Sequence, residues 1–205
     1  MTAAQGLAVA CAAAVAASAG DLTMLLVANA AHFGLALPRP YGLLGVGAAL
    51  GVGCIPVYAI GYFAAARALC GGAAWAAWSV RLGGVIAPAI GCVIHALTAA
   101  AIFAQLQSGS SAASDPLAAV AQIPALAALW GAAAASFALA CLPLAWCALR
   151  GSESWALANP LLGTLVLAAL GATFELGRFF LVPAAPNLAH AVFFASATLH
   201  SRGPR

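Results

Sequence analysis

Long apolar stretches, separated by short polar or Pro/Gly-rich interruptions, make up most of this chain. A helix that crosses a membrane needs about 20 mostly apolar residues, and six stretches reach or approach that length. They lie at residues 5–36, 42–70, 74–107, 117–149, 160–182 and 187–201. The pattern predicts an all-α, polytopic integral membrane protein: a single transmembrane domain over 1–205, folded as a six-helix bundle. Because the last stretch is short, we expect it to be tilted or only partly spanning.

The interruptions between these stretches carry the usual signals for helix ends. They are Pro38 to Pro40, Gly71 and Gly72, the polar run 108–116, the segment 151–159, and Pro183 to Pro186. The last of these predicts a break between the fifth and sixth spans. Within the second span, Gly47 and Gly51 form a pair of small residues four apart, which predicts close approach of a neighbouring helix or of a second copy of the chain.

Composition excludes several classes of protein. The chain is 65% hydrophobic and 5% charged, with a mean hydropathy of +1.07, whereas soluble domains carry about 25% charged residues. The absence of lysine excludes Schiff-base chemistry and a lysine nucleophile. A net charge of +3 spread over the connections gives no basic face for nucleic acid. Six scattered cysteines without a CxxC pair do not predict a metal site.

The arginines predict the orientation, because cytoplasmic connections carry an excess of positive charge. With six spans, one side holds five arginines and the other holds two. The first group is Arg67, Arg81, Arg150, Arg202 and Arg205, and the second is Arg39 and Arg178. We therefore expect both termini in the cytoplasm. The Ala, Gly and Arg bias without lysine is associated with GC-rich bacterial genomes, so we expect a bacterial inner membrane.

Two of the four carboxylates lie within apolar segments, Asp21 and Glu175. An ionisable side chain at the centre of a bilayer costs at least about 2.5–3.5 kcal/mol, so such residues generally have a partner or a function. Arg178 lies one turn after Glu175, and we expect the two to neutralise one another. In the predicted topology, four helices place their polar residues in the outer half of the membrane. These are Asp21, Asn29, His32, His95, Thr98, Glu175, Arg178, Asn187 and His190.

This set predicts an intramembrane acid–base site. Burial without a counter-ion favours the protonated form of a carboxyl group, and Asp21 has no cation near it in sequence, so it is the candidate acid. Glu175, held by Arg178, is the candidate base or orienting group, and His95 and His190 are candidate proton shuttles. The remaining four residues are candidate substrate contacts: Asn29, His32, Thr98 and Asn187. The interpretation is an enzyme that hydrolyses, isomerises or cyclises a lipid-like or isoprenoid substrate reached from the outer leaflet.

Other functions fit the same residues. A non-catalytic accessory subunit or lipid-binding protein needs only a satisfied polar core, in which Asp21 accepts a hydrogen bond and His95 bonds a carbonyl. His95 and His190, predicted at comparable depth, are candidate axial ligands of a b-type haem. The expected partners are membrane lipids, a hydrophobic small molecule, and further subunits or copies of the chain. The cofactor stays undetermined.

One stretch bears a resemblance to a known family. Ser18, Gly20, Asp21 and Leu25, followed by His32-Phe33, resemble a segment that ends in a helix-end histidine in bacterial lysoplasmalogenase-type membrane hydrolases. The resemblance covers roughly 16 of 205 residues and implies functional roles for Asp21 and His32. That family typically has more than six spans, and the resemblance assigns no role to Glu175.

Overall fold

The computed structural model describes residues 1–70, 72–108, 124–151 and 159–201, and it contains only helices in these ranges. The α-helices of these described ranges are α1 (Ala3–Asn29), α2 (Pro40–Cys54), α3 (Tyr58–Leu69), α4 (Ala74–Ser108), α5 (Pro124–Gly151), α6 (Pro160–Gly171) and α7 (Val182–His200). A short 3₁₀ segment (Ile55–Val57) joins α2 to α3, and a π-helical segment (Gly177–Leu181) leads into α7.

Five helical units among the described residues are long and apolar enough to cross a membrane. They are Ala3–Asn29, Pro40–Leu69, Ala74–Ser108, Ala127–Arg150 and Gly177–His200. This supports the prediction of a multi-pass membrane protein. The sixth apolar helix, α6, has 12 residues and is about 18 Å long, which is too short for a hydrocarbon core of about 30 Å. The beginning of the predicted span 117–149 lies outside the described residues.

The predicted boundary between the last two spans is wrong. The chain turns at residues 172–174, and the following helix continues through both Pro183 and Pro186. Pro183 is the second residue of α7, which directly follows the π-helical segment Gly177–Leu181. The turn is tight because Gly171 and Gly177 pack directly against each other, with no room for a side chain on Gly177. Glu175 and Arg178 therefore begin the last helix instead of ending the fifth span.

The first helix is also shorter than predicted. It ends at Asn29 rather than near residue 36, and a turn follows in which Gly34 has a φ of 65°. Left-handed backbone of this kind favours glycine and stops the helix. Arg39, with a φ of 56°, precedes α2.

Small residues allow α1, α2 and α4 to come very close together. A methyl group at Gly20 would lie 2.8 Å from the carbonyl oxygen of Gly47, and one at Gly51 would overlap the imidazole of His95. The predicted close approach at Gly47 and Gly51 is therefore confirmed, and it occurs within the chain. The His95 ring occupies the space that the missing side chain of Gly51 leaves.

The polar residues of the bundle lie between two apolar clusters. The larger cluster fills the half that contains the start of α1 and the ends of α3 and α7, and its largest buried side chains include Tyr58, Tyr62, Phe193 and Phe194. The smaller cluster lies nearer the α1–α2 connection and consists of Met24, Val27, Leu44 and Ile102. We call the first half the amino-terminal end of the bundle, because α1 begins there beside α3.

Candidate functional site

A buried carboxylate–histidine pair lies between α1 and α4. Asp21 Oδ1 is 3.2 Å from His95 Nδ1, and the side chains are 13% and 6% exposed, respectively. The second ring nitrogen, His95 Nε2, is 3.2 Å from the carbonyl oxygen of Gly47. Gly51 makes this position possible, because any larger residue there would occupy the space of the ring.

These contacts define which atoms of the pair face each other. The Gly47 carbonyl can only accept, so His95 Nε2 carries a hydrogen and donates it. The other ring nitrogen, Nδ1, faces Asp21 Oδ1. A carboxyl group with such a partner costs less to bury than one without.

A third helix contributes a hydrogen bond to the carboxyl group of Asp21, and a fourth helix holds the donor of that bond. Asn187 on α7 donates from Nδ2 to Asp21 Oδ2 at 2.6 Å, and the Tyr58 hydroxyl on α3 donates to Asn187 Oδ1 at 2.7 Å. We call His95, Asp21, Asn187 and Tyr58 the Asp21 network. Asp21, His95 and Asn187 were predicted from the sequence, whereas Tyr58 was missed. The available signal was that a tyrosine hydroxyl inside a span needs a partner.

His190 belongs to a neighbouring arrangement. Its Nδ1 donates to the carbonyl oxygen of Pro186 at 2.7 Å, so its Nε2 accepts from the Tyr62 hydroxyl at 2.8 Å in the neutral form. The ring stacks on Tyr58 with 4.6 Å between centroids. His190 therefore touches the Asp21 network through a ring and not through a hydrogen bond, and both of its nitrogens are occupied.

Glu175, His32 and Arg178 form a separate group near the α6–α7 turn. His32 Nε2 is 3.0 Å from Glu175 Oε1, with the side chains 34% and 70% exposed. The predicted Glu175–Arg178 pair is wrong: Arg178 Nε donates to the carbonyl oxygen of Ala172 at 3.0 Å, and no ion pair joins the two in the described residues. The π-helical turns that begin at Gly177 change the spacing on which the prediction depended.

The last two residues predicted to contact substrate, Asn29 and Thr98, instead bond the backbone of their own helices. Asn29 Nδ2 donates to the carbonyl oxygen of Leu25 at 2.8 Å, and Thr98 Oγ1 donates to that of Ile94 at 2.9 Å. Both side chains are buried. Each is thus satisfied within one turn, and neither joins the Asp21 network.

An apolar cavity of about 300 Å³ opens near the α1–α2 connection, between α1 and α4. Val27, Ala28, Ala30, Ala31, Leu35, Leu37, Pro40, Ile102, Gln105 and Leu106 line it. None of the predicted site residues lines this cavity. Met24 lies one turn beyond Asp21 on α1 and belongs to the apolar cluster that shares Val27 and Ile102 with the cavity. The cavity and the Asp21 network are therefore neighbours separated by this cluster.

The described residues do not group as a metal or haem site would. Among them, no three His, Cys, Asp or Glu side chains are close enough to hold a metal ion. A haem ligand needs a free ring nitrogen, yet both nitrogens of His95 and of His190 are engaged by protein atoms. The haem interpretation does not fit this arrangement.

Comparisons of the chain with protein-family models, curated proteins and solved structures find no match. The resemblance in residues 18–33 gains no support from them. The function therefore has to be inferred from the side chains themselves, above all from the buried Asp21–His95 pair.

Proposed function

We propose that this protein is an integral membrane enzyme that performs acid–base chemistry on a lipid-like substrate, with the Asp21–His95 pair as the proton donor and acceptor. The observation that carries the proposal is a nearly buried carboxyl–imidazole pair whose facing oxygen and nitrogen atoms are 3.2 Å apart. Carboxyl and imidazole groups are common general acids and bases. In the proposed mechanism, the two groups share a proton that is supplied to the substrate and taken up again deep in the bundle.

Stability alone is a weak reason for such a pair. Replacing a buried ion pair with apolar side chains of similar volume is often neutral or stabilising. The surroundings here also favour a reactive carboxyl group, since Asn187 Nδ2 and His95 Nδ1 both contact it. Hydrogen bonds of this kind stabilise the carboxylate that remains after a proton is given away.

The shared proton suits an isomerisation or cyclisation. Asp21 would protonate an unsaturated carbon of the substrate, and the resulting carboxylate would remove a proton from a neighbouring carbon of the cation. The double bond moves or a ring closes, and the pair returns to its starting state. A hydrolysis would instead require a water molecule beside the pair, with the carboxylate as its general base.

The apolar cavity supports a lipid-like substrate. Its lining is apolar apart from Gln105 and a few backbone groups, as expected for an acyl or isoprenoid chain. Met24 lies between the cavity and Asp21 and is buried. Methionine is flexible and adapts to irregular space, so its movement would connect the cavity to the pair.

We place the termini in the cytoplasm of a bacterial inner membrane, with the cavity toward the outer leaflet. The support is the distribution of arginines: Arg67, Arg81 and Arg150 lie at the amino-terminal end of the bundle, where Trp75 also contacts Trp146. Positive charge is typical of the cytoplasmic side, whereas aromatic side chains are typical of both membrane interfaces. A reporter that fluoresces only in the cytoplasm, fused to either terminus, tests this orientation.

The decisive variant is Asp21→Asn. Its amide can donate to His95 Nδ1 and accept from Asn187 Nδ2, so the hydrogen bonds remain while the shared proton is lost. Wild type and Asp21→Asn are incubated in liposomes of bacterial lipid extract, and the lipids are compared by mass spectrometry in D₂O and in H₂¹⁸O. We expect wild type alone to incorporate solvent deuterium into one lipid class. Incorporation of ¹⁸O would indicate hydrolysis, and equal products from both proteins would contradict the proposal.

A non-catalytic role is the second candidate, because every polar side-chain atom of the Asp21 network has a partner within the protein. In this case the network only fixes the packing of α1, α3, α4 and α7. Wild type would then convert no lipid, and Asp21→Asn would change neither lipid composition nor fold. Glu175→Gln, outside the network, is the matched control for both candidates.

A further inference from the structure

Arg81 lies at an outer surface formed by α3 and α4. It is the eighth residue of α4, about 10 Å along the helix axis from its start. Its guanidinium carbon is 5.9 Å from the ring centroid of Phe63 and 5.8 Å from that of Trp78. These two rings are 42% and 68% exposed, so the guanidinium lies between aromatic side chains on the outside of the bundle.

The charge of Arg81 has no counter-ion among the described residues. Its Nε is buried without a hydrogen-bond partner. The two described carboxylates are Asp21 and Glu175, and each contacts a histidine. Aromatic rings attract the cation but accept its hydrogen bonds poorly. Within the described residues, the Arg81 guanidinium therefore has neither a hydrogen-bond acceptor nor an ion-pair partner.

A second arginine lies on the same surface. Arg67 is exposed and follows Phe63 by four residues, so both project from one face of α3. The Phe63 ring thus has Arg81 on one side and Arg67 one turn nearer the end of α3. Arginine binds the oxygens of a phosphate bidentately, so two arginines on one surface suit such a ligand.

We infer that Arg81 and Arg67, with Phe63 and Trp78, form a binding site for the phosphate of an anionic phospholipid. Both arginines lie near the amino-terminal end of the bundle, within about two turns of a helix end, which is the depth of the headgroups for a spanning helix. The apolar surface of α3 and α4 above them would contact the acyl chains. An anionic headgroup is favoured because a choline headgroup would add its own positive charge to those of the two arginines. This site is independent of the Asp21 network and of the proposed enzymatic function.

Arg150 provides a matched control at the same end of the bundle. It belongs to α5 and lies 4.4 Å above the ring of Trp146, which in turn contacts Trp75. Arg150→Gln removes the same charge as Arg81→Gln but leaves the α3–α4 surface intact. Arg81→Lys keeps the charge and removes the planar, bidentate group.

The test uses the full chain in detergent and counts retained lipids by native mass spectrometry, after addition of equal phosphatidylglycerol and phosphatidylcholine. We expect wild type to retain phosphatidylglycerol about tenfold better, a difference that about 1.4 kcal/mol produces. Arg81→Gln and Arg67→Gln should abolish the preference, Arg81→Lys should weaken it, and Arg150→Gln should keep it. Inorganic phosphate in millimolar excess should not displace the lipid.

Three results would overturn the inference. The first is a wild-type protein without a preference for phosphatidylglycerol. The second is an equal loss in Arg150→Gln and Arg81→Gln, which would indicate general surface charge. The third is displacement by inorganic phosphate, which would indicate a site for the free anion. Circular dichroism of each variant shows whether it is folded. If Arg81→Gln does not fold, Arg81→Lys replaces it as the variant that tests the lipid preference.

Discussion

The chain contains two carboxylate–histidine pairs with nearly equal distances and very different surroundings. Asp21 and His95 are 3.2 Å apart and almost completely buried, whereas Glu175 and His32 are 3.0 Å apart and 70% and 34% exposed. Each pair includes a residue of the first helix or of the turn that follows it. Exposed ion pairs contribute about 0–1 kcal/mol, whereas breaking a buried pair costs about 3–5 kcal/mol. The distance between the charged atoms therefore says little about the importance of a pair.

The second difference is the number of helices that hold each pair. Asp21 is paired with His95 on α4 and accepts a hydrogen bond from Asn187 on α7, and Tyr58 on α3 holds Asn187 in place. The carboxylate of Glu175 has one polar partner in the described part of the chain, His32. A side chain held from several helices has one orientation, which proton transfer requires. This comparison indicates that the acid–base site is the buried pair and not the exposed one.

The largest effect is expected for Asp21→Leu. It leaves His95 Nδ1 and Asn187 Nδ2 buried without their partner, and we expect the free energy of unfolding in detergent to fall by about 3–5 kcal/mol. Asp21→Asn, which keeps these hydrogen bonds, should lose less than about 1 kcal/mol. Unfolding followed by circular dichroism measures both. Equal losses for the two variants would show that the carboxyl group acts only through its charge.

Gly51→Ala is expected to have the next largest effect. The added methyl group would overlap the His95 ring and force it away from Asp21, at a cost of about 1–3 kcal/mol. Gly53→Ala is the control, since a methyl group there meets nothing within 4 Å. Thermal unfolding of the two variants tests the fit of His95 against α2. A Gly51→Ala protein as stable as the wild type would mean that the His95 ring can move without a loss of stability.

Tyr58→Phe removes one hydroxyl and leaves Asn187 Oδ1 without its donor. Hydrogen bonds inside membrane bundles contribute about 0.6 kcal/mol on average and up to about 1.7, so we expect a loss of about 1 kcal/mol. Tyr41→Phe, on a tyrosine that is 48% exposed, should lose nothing measurable. If both substitutions are neutral, Tyr58 does not hold the network in place.

Glu175→Gln should have the smallest effect, a loss of no more than about 0.5 kcal/mol, because solvent and salt screen an exposed pair. His32→Gln should behave in the same way. A double-mutant cycle between the two positions measures their coupling directly. A coupling above about 1 kcal/mol would contradict the contrast between the exposed and the buried pair.

Much of the Asp21 network was predictable, because ionisable and amide side chains are conspicuous in apolar helices. The rule that such side chains mark a site identified Asp21, His95 and Asn187. The rule failed for Glu175 and Arg178, where spacing in an ordinary α-helix predicted a pair that the π-helical turns prevent. It also gave no means of separating His190, whose nitrogens bond Pro186 and Tyr62, from His95, whose ring faces a carboxylate.

The sequence by itself determined the class of this protein. Its apolar length and its near absence of charge predict helices that cross a membrane, since a backbone in lipid must satisfy its own hydrogen bonds. Only the tertiary structure decided the helix partners, the turn at residues 172–174 and the assignment of each carboxylate to a histidine. The physical reason is that nearly every position is apolar or small, so the sequence does not mark which face of a helix is inside. That choice depends on close contacts such as Gly51 with His95.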